Sequence, residues 1–318
     1  MMMDRNSDSD DFERYNRMPA AIGDSLPRRL LALASPKAYI GSCNREKLRC
    51  IIQGTVASMI SRKLPERYDE TFELDRRYDR ALGDFCTMLL RAGTRIAALR
   101  AFLDNQIPEG RPQHMKVLFV EAAARRLGKA WTQDSCDFVD VTIGSARLQE
   151  LILSLSFDMR GSAPMAHAPH ALIVTPFSEQ HTLMPHLTGL LFDSLGWSRQ
   201  VLEPDKVRGP LLAKAVSQSD VVCIGWSNVR LGEEMVELVG DIRRHAGSRR
   251  LPLIAGGVAA LDSVSFLVEL GIDCVCDSVY SAARICQSYN DLTIISQHAR
   301  AAGRTAVVKH AKIEWLAQ

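Results

Sequence analysis

Ala171-Leu172-Ile173-Val174-Thr175-Pro176, followed one residue later by Ser178-Glu179-Gln180-His181-Thr182-Leu183-Met184, decides how this chain is read. A short continuous apolar run stopped by proline reads as a strand buried on both faces. Beyond Met184 an apolar helix runs to Gly196-Trp197, so the polar stretch between is a loop at a strand's carboxyl end. Glu179 stands two positions before His181 and sets a carboxylate behind one imidazole. A hydrogen bond to the far ring nitrogen of a metal-ligating histidine fixes its tautomer and raises its basicity.

Around this stretch strands alternate with helices. Strands are expected at 171–176, 199–203, 220–226, 251–255 and 273–276, and helices at 185–195, 207–217, 231–246, 262–270 and 279–290, with another possible through residue 302. Five such units imply an α/β fold, a flavodoxin-like (Rossmann-like) parallel sheet covered on both faces. Sheets of this kind bind ligands at the carboxyl ends of strands, near the switch in strand order. The His181 loop, the Gly225-Trp226-Ser227 loop and the Gly256-Gly257 loop all fall there. The glycines fit a close approach of backbone to ligand. A plain strand-to-helix turn accounts for Gly256-Gly257 equally well.

One histidine cannot hold a bare ion, but it can hold a metal whose other positions a macrocycle fills. Glu179-x-His181-x-x-Met184 resembles the Asp-x-His-x-x-Gly signature of cobalamin-binding domains, whose histidine ligates cobalt from below. Leu195-Gly196-Trp197 matches that family's Gly-Phe, Ser227-Asn228-Val229 its Ser-x-Leu, and Gly256-Gly257 its Gly-Gly, all in register. The resemblance implies cobalamin in a hydroxo-, aquo- or adenosyl- form. His181 becomes the metal ligand, and Glu179, Gln180, Thr182, Leu183, Met184, Gly225, Ser227, Gly256 and Gly257 the surrounding site. Glu replaces Asp, Val229 replaces leucine, and Met184 replaces the loop glycine, putting a side chain where the family leaves room for the nucleotide tail.

Upstream, residues 1–25 are acidic and polar and read as a disordered arm. Residues 26–66 form a basic, helix-like segment, either a solvated face or a surface for an acidic partner or DNA. No helix-turn-helix pattern is found. From 67 to 160 the pattern is helical throughout. Leu82, Phe85, Leu89, Ile96, Leu99 and Leu103 recur at helical steps, Thr94 is a candidate N-cap, and further helices span 115–127 and 141–155. Four helices with short connections suggest an antiparallel bundle. Within it, Leu127-Gly128-Lys129-Ala130-Trp131 with Phe138-Val139-Asp140-Val141-Thr142 resembles the helical cap that precedes many cobalamin domains. Trp131 then lies over the upper corrin face; the alternative is simple packing at a helix end. Val141-Thr142 stands ten positions after the tryptophan, where cap-type adenosylcobalamin photoreceptors carry Glu-His. A light switch that recruits that upper histidine is therefore not expected. Residues 161–169 read as a linker before the α/β region at 170–302, and 303–318 as a tail. His167, His170 and His186 are alternative ligands or ordinary exposed histidines.

The 39 Lys+Arg nearly balance the 37 Asp+Glu, so no global basic field marks a nucleic-acid binder. No apolar run approaches the ~20 residues that span a bilayer, which suggests a cytoplasmic protein without membrane contact. Eight cysteines lie scattered, with Cys43, Cys50 and Cys136 candidates for redox sensitivity and Cys274-x-Cys276 two small residues of a core strand. No cluster of acid, base and nucleophile is found, so no catalytic residue is expected. The cap details are most similar to AerR/PpaA-type antirepressors of purple photosynthetic bacteria. That resemblance implies a cobalamin-dependent, light-responsive regulator that binds a CrtJ/PpsR-like, DNA-binding repressor of photosynthesis genes. A corrinoid methyl-carrier and a haem-binding redox sensor are the alternatives, together with an interaction module whose site has decayed.

Overall fold

Beyond residue 170, apolar strands buried on both faces force helices onto each side of a sheet. In the computed structural model that describes residues 76–159 and 168–301, with side chains for 78–159 and 168–294, this arrangement is found. The expected arm, the basic segment 26–66, the tail and nearly all of the linker lie outside the described residues, with Cys43, Cys50 and His167. The described residues belong to one compact unit.

Four helices come first: α1 (Arg76–Leu90), α2 (Ile96–Gln106), α3 (His114–Thr132) and α4 (Phe138–Met159). The expected stripe Leu82, Phe85, Leu89, Leu99 and Leu103 is buried, and Ile96 half-buried. Phe85 meets the Phe119 ring edge-on at 5.5 Å. The α3 helix is the hub, buried almost continuously from His114 to Ala124 and packed on α1 and α4. Lys116, enclosed within it, is paired with Asp104 at 2.6 Å. Thr94 is not the cap of α2: Arg95 holds that position without a side-chain bond, and Thr94 closes the preceding turn through its amide to Arg91 O.

The sheet follows as β1 (His170–Val174), α5 (Leu183–Ser194), β2 (Ser198–Val201), α6 (Gly209–Gln218), β3 (Val221–Gly225), α7 (Gly232–Ala246) and β4 (Leu253–Gly256). Two short helices, α8 (Val258–Asp262) and α9 (Val264–Leu270), replace the single one expected at 262–270, and β5 (Cys274–Cys276) and α10 (Val279–Ala301) complete the chain. All strands are parallel, in the order β2-β1-β3-β4-β5. The chain reverses its direction of travel across the sheet between β1 and β3, so the crevice opens at their carboxyl ends.

Strand alternation assigns the faces. Ala171, Ile173, Val221, Cys223, Ile254 and Cys276 share one apolar cluster with α5, α10 and the first four helices. The α5 and α10 helices are therefore sandwiched between the sheet and the helical region, with α3 packed against both. On the other face α6 packs on β1 and α7, burying Leu212, Val216, Met235 and Ile242. No described helix is long and apolar enough to cross a membrane.

Candidate functional site at the strand carboxyl ends

The loop after β1 is built around Glu179. Its amide donates to Pro176 O at 3.0 Å, turning the chain back toward the sheet, and its side chain is only 1% exposed. Oε1 accepts from the His181 amide at 3.1 Å and from His181 Nδ1 at 2.7 Å. Oε2 accepts from the amides of Ser227 at 2.8 Å and Asn228 at 3.0 Å, which belong to the loop after β3. One carboxylate thus stitches together the two loops that flank the switch point. Burial opposes its ionisation, but the His181 bond and these amides outweigh burial and hold the carboxyl at about 2.

The imidazole is anchored on one side only. With Nδ1–H given to an ionised carboxylate, Nε2 carries the lone pair, on a side chain that is 65% exposed. The Glu179 hydrogen bond raises the His181 pKa above its ordinary 6.5, against a smaller opposing effect of burial. The two shifts have opposite signs in pH. Glu179, depressed, stabilises the fold above its ordinary 4.5 and gives this up as pH falls toward 2. His181, raised, contributes fully below 6.5 and loses the contribution as pH climbs through its folded value. The pair therefore contributes in full between about pH 4.5 and 6.5. In Glu179→Gln, with burial left as the main influence, the imidazole is expected to titrate at or below 6.5. Following its ring proton shifts by NMR against pH checks this; an unchanged titration would refute the pairing.

Beside this loop a cavity of about 1030 Å³ opens between the sheet edge and the helical region. Its floor holds Ile173, Cys223, Gly225, Ile254, Gly256 and Cys276, with Ser227 and Gly257 at the rim. The α5 wall is Met184, Pro185 and Thr188, and the opposite wall is α3, with Glu121, Arg125, Arg126 and Lys129. The volume lies at the upper end of the range for ligand pockets.

Of the expected site residues, Met184, Gly225, Ser227, Gly256 and Gly257 line this cavity. Glu179, Gln180, His181 and Thr182 form the adjoining loop, Leu183 opens α5, and none of the five lines it; Glu179 reaches the rim through the Ser227 amide. Met184 does project into the space. Trp131 is on the last turn of α3, between lining residues Ala130 and Gln133, but packs edge-on against Phe138 with centroids 6.4 Å apart. Val141 and Thr142, half-buried and exposed on α4, are not brought to the cavity. His170 lies at the other end of β1, its Nδ1 2.8 Å from Ser198 Oγ, and half-buried His186 does not line the cavity.

The glycines have a packing cause that the sequence does not reveal. A Cβ on Gly257 falls 2.3 Å from Trp226 O, and one on Gly256 falls 2.8 Å from Cys276 Sγ. Protein atoms already exclude a side chain there, whatever ligand the cavity takes. Sequence reasoning also missed the basic wall. Arg125 and Lys129 are spaced to share one face of α3, a signal that was readable in helical periodicity.

No family model matches the chain. An uncharacterized 20.5 kDa protein from the bchF-crtJ intergenic region of Rhodobacter capsulatus is 25% identical over 167 residues, which cover 51% of this chain and 85% of the relative. Among solved structures, the monomethylamine corrinoid protein of Methanosarcina barkeri superposes with a TM-score of 0.50 at 10% identity, over 69% of this chain and 98% of its own. A cobalamin-binding protein from Desulfitobacterium hafniense gives a TM-score of 0.39 at 13% identity, over 66% and 97%. At these identities the M. barkeri likeness is one of fold: a helical region followed by a Rossmann-like five-stranded sheet.

Proposed function

We propose that this chain binds cobalamin and acts as a light-responsive regulator of a CrtJ/PpsR-like repressor, without catalysing a reaction itself. The observation that carries the cofactor reading is His181. Its Nδ1 is locked on a buried carboxylate and its Nε2 is open, beside a cavity at the switch point of the sheet. A neutral imidazole with an outer carboxylate suits a cobalt whose remaining positions are held by a corrin. Among the described residues no group of three or more His, Cys, Asp or Glu could hold a metal ion, which agrees with a single protein ligand.

His181 would hold the metal, Glu179 would fix its tautomer, and the Ser227 and Asn228 amides would hold Glu179. Met184 lines the cavity beside the loop and would limit the space left for the cofactor there. When bound, the cofactor would supply chemistry at cobalt that light changes. This chain's part is to convert that change into a new fit between α3 and the sheet edge. A ligand shifts such an equilibrium only by its difference in affinity for the two states. The gene neighbourhood of the R. capsulatus relative, beside crtJ, supports the repressor as the partner.

The test is gel filtration of cobalamin-loaded protein with a CrtJ/PpsR-like repressor, dark and illuminated. A change in complex affinity of tenfold or more is expected, about 1.4 kcal/mol, and its absence in His181→Ala. The methyl-carrier reading is favoured by the name of the M. barkeri neighbour and places the same histidine under the same metal. A carrier forms a complex with a methyltransferase, and none with the repressor in either light condition.

A further inference from the structure

Strand register gathers thiols beneath the cavity. Cys223 aligns with Ile254 and Ile254 with Cys274, so Cys223, Cys274 and Cys276, two residues on, project from the same face of the sheet. Cys286 descends onto that face from α10, 63 residues along the chain from Cys223. The Cys223 and Cys286 sulfurs lie 3.6 Å apart, in contact but unbonded. The neighbouring thiols have other attachments: Cys276 donates to Ala255 O at 3.4 Å, and Cys274 faces Tyr289 OH at 3.6 Å. Cys223 lines the cavity, whereas Cys286 is wholly enclosed.

We infer that Cys223 and Cys286 form a reversible disulfide when a small peroxide enters through the cavity. Cys223 Sγ attacks one peroxide oxygen, giving a sulfenic acid and releasing the other oxygen as water. The Cys286 sulfur then displaces hydroxide from the sulfenic sulfur, which leaves with the Cys286 proton as a second water. Two thiol hydrogens and two electrons end on the peroxide oxygens, and a dithiol returns them. Closing the bond brings the sulfurs from 3.6 Å to about 2.05 Å and draws α10 toward β3. Val279 and Ala282, on the first turn of α10, line the cavity, so bond formation reshapes its floor. Burial holds the Cys286 thiol well above its ordinary pKa, which makes the second step slow and keeps the pair reduced under mild exposure.

The test treats the purified full chain, without cofactor, with hydrogen peroxide, and maps disulfides by mass spectrometry of an unreduced digest. A Cys223–Cys286 linked peptide, lighter by about 2 Da than the two reduced peptides together, is expected, and dithiothreitol should remove it. Cys274→Ser and Cys276→Ser should keep the link. Cys286→Ser should abolish it and leave Cys223 trapped as a dimedone-reactive sulfenic acid. The wild-type map stands even if that variant fails to fold. Pairing of Cys223 with Cys274 or Cys276, its over-oxidation beside an intact Cys286 thiol, or no oxidation of Cys223 would overturn the inference.

Discussion

His181→Ala protein mixed with aquocobalamin is expected to show the absorption spectrum of the free cofactor and to lose it on desalting. The wild type should retain it with a shifted spectrum. His181 is an oriented imidazole on the loop beside the cavity, and removing it deletes the protein bond proposed for the metal. A loss above 100-fold is expected. Glu179→Gln removes only the outer partner and should cost about 10–100-fold, the range seen when such partners are replaced. The order of the two effects is the informative part. Equal retention by His181→Ala and wild type would dismiss the ligand assignment, while Trp131→Ala separately tests whether the indole contacts the cofactor. Since Trp131 packs on Phe138 and not on the cavity, its replacement should have the smallest effect of the three.

Gly257→Ala is expected to cost about 3–5 kcal/mol of folding stability, read from the shift of its urea midpoint. Gly257 has φ +110°, a conformation that residues with a Cβ rarely adopt, and the added carbon meets Trp226 O at 2.3 Å and Trp226 C at 2.8 Å. Those are backbone atoms and cannot swing aside. Trp226 is itself fixed, 1% exposed, with its amide donating to Gly256 O and its indole to Asn228 O at 2.7 Å. Gly271 is the control: its φ is +91°, but a Cβ there meets nothing within 4 Å, so Gly271→Ala should cost only about 1 kcal/mol. Similar losses at both positions would show that the clash relaxes away. Because the Ser227 and Asn228 amides hold Glu179, Gly257→Ala should weaken cofactor retention as well.

The fold was legible because the central strands β1, β3 and β4 are largely buried and read as apolar runs such as Leu172-Ile173-Val174. Alternation with helices implied a parallel sheet and set the His181, Ser227 and Gly256 loops at strand carboxyl ends, while the order β2-β1-β3-β4-β5 is a finding of the structure. The Glu179–His181 bond was legible from a two-residue spacing. The contact of Glu179 with Ser227 and Asn228 was not, since it joins loops 48 and 49 residues apart through backbone amides that carry no residue signature. The helix expected at 115–127 stopped short of Trp131, whereas α3 runs on to Thr132 and carries Trp131 on its last turn against the Phe138 ring, the helix-end packing weighed as the alternative. The thiol pair was hidden because Cys223 and Cys286 meet only through the packing of α10 on the sheet. Cys274-x-Cys276, the motif that caught attention, proves to hold the supporting residues.

Glu121, on α3, has no exposed surface, and its Oε1 accepts from the Val279 amide at 2.9 Å, at the amino end of α10. Four residues along α3, Arg125 Nη1 donates to Asp277 O at 2.8 Å. The seam between α3 and the amino end of α10 is thus partly polar, and the Glu121 carboxyl regains its water whenever the seam parts. A purely oily joint would resist opening across its whole area. This one returns part of the work of separation as hydration.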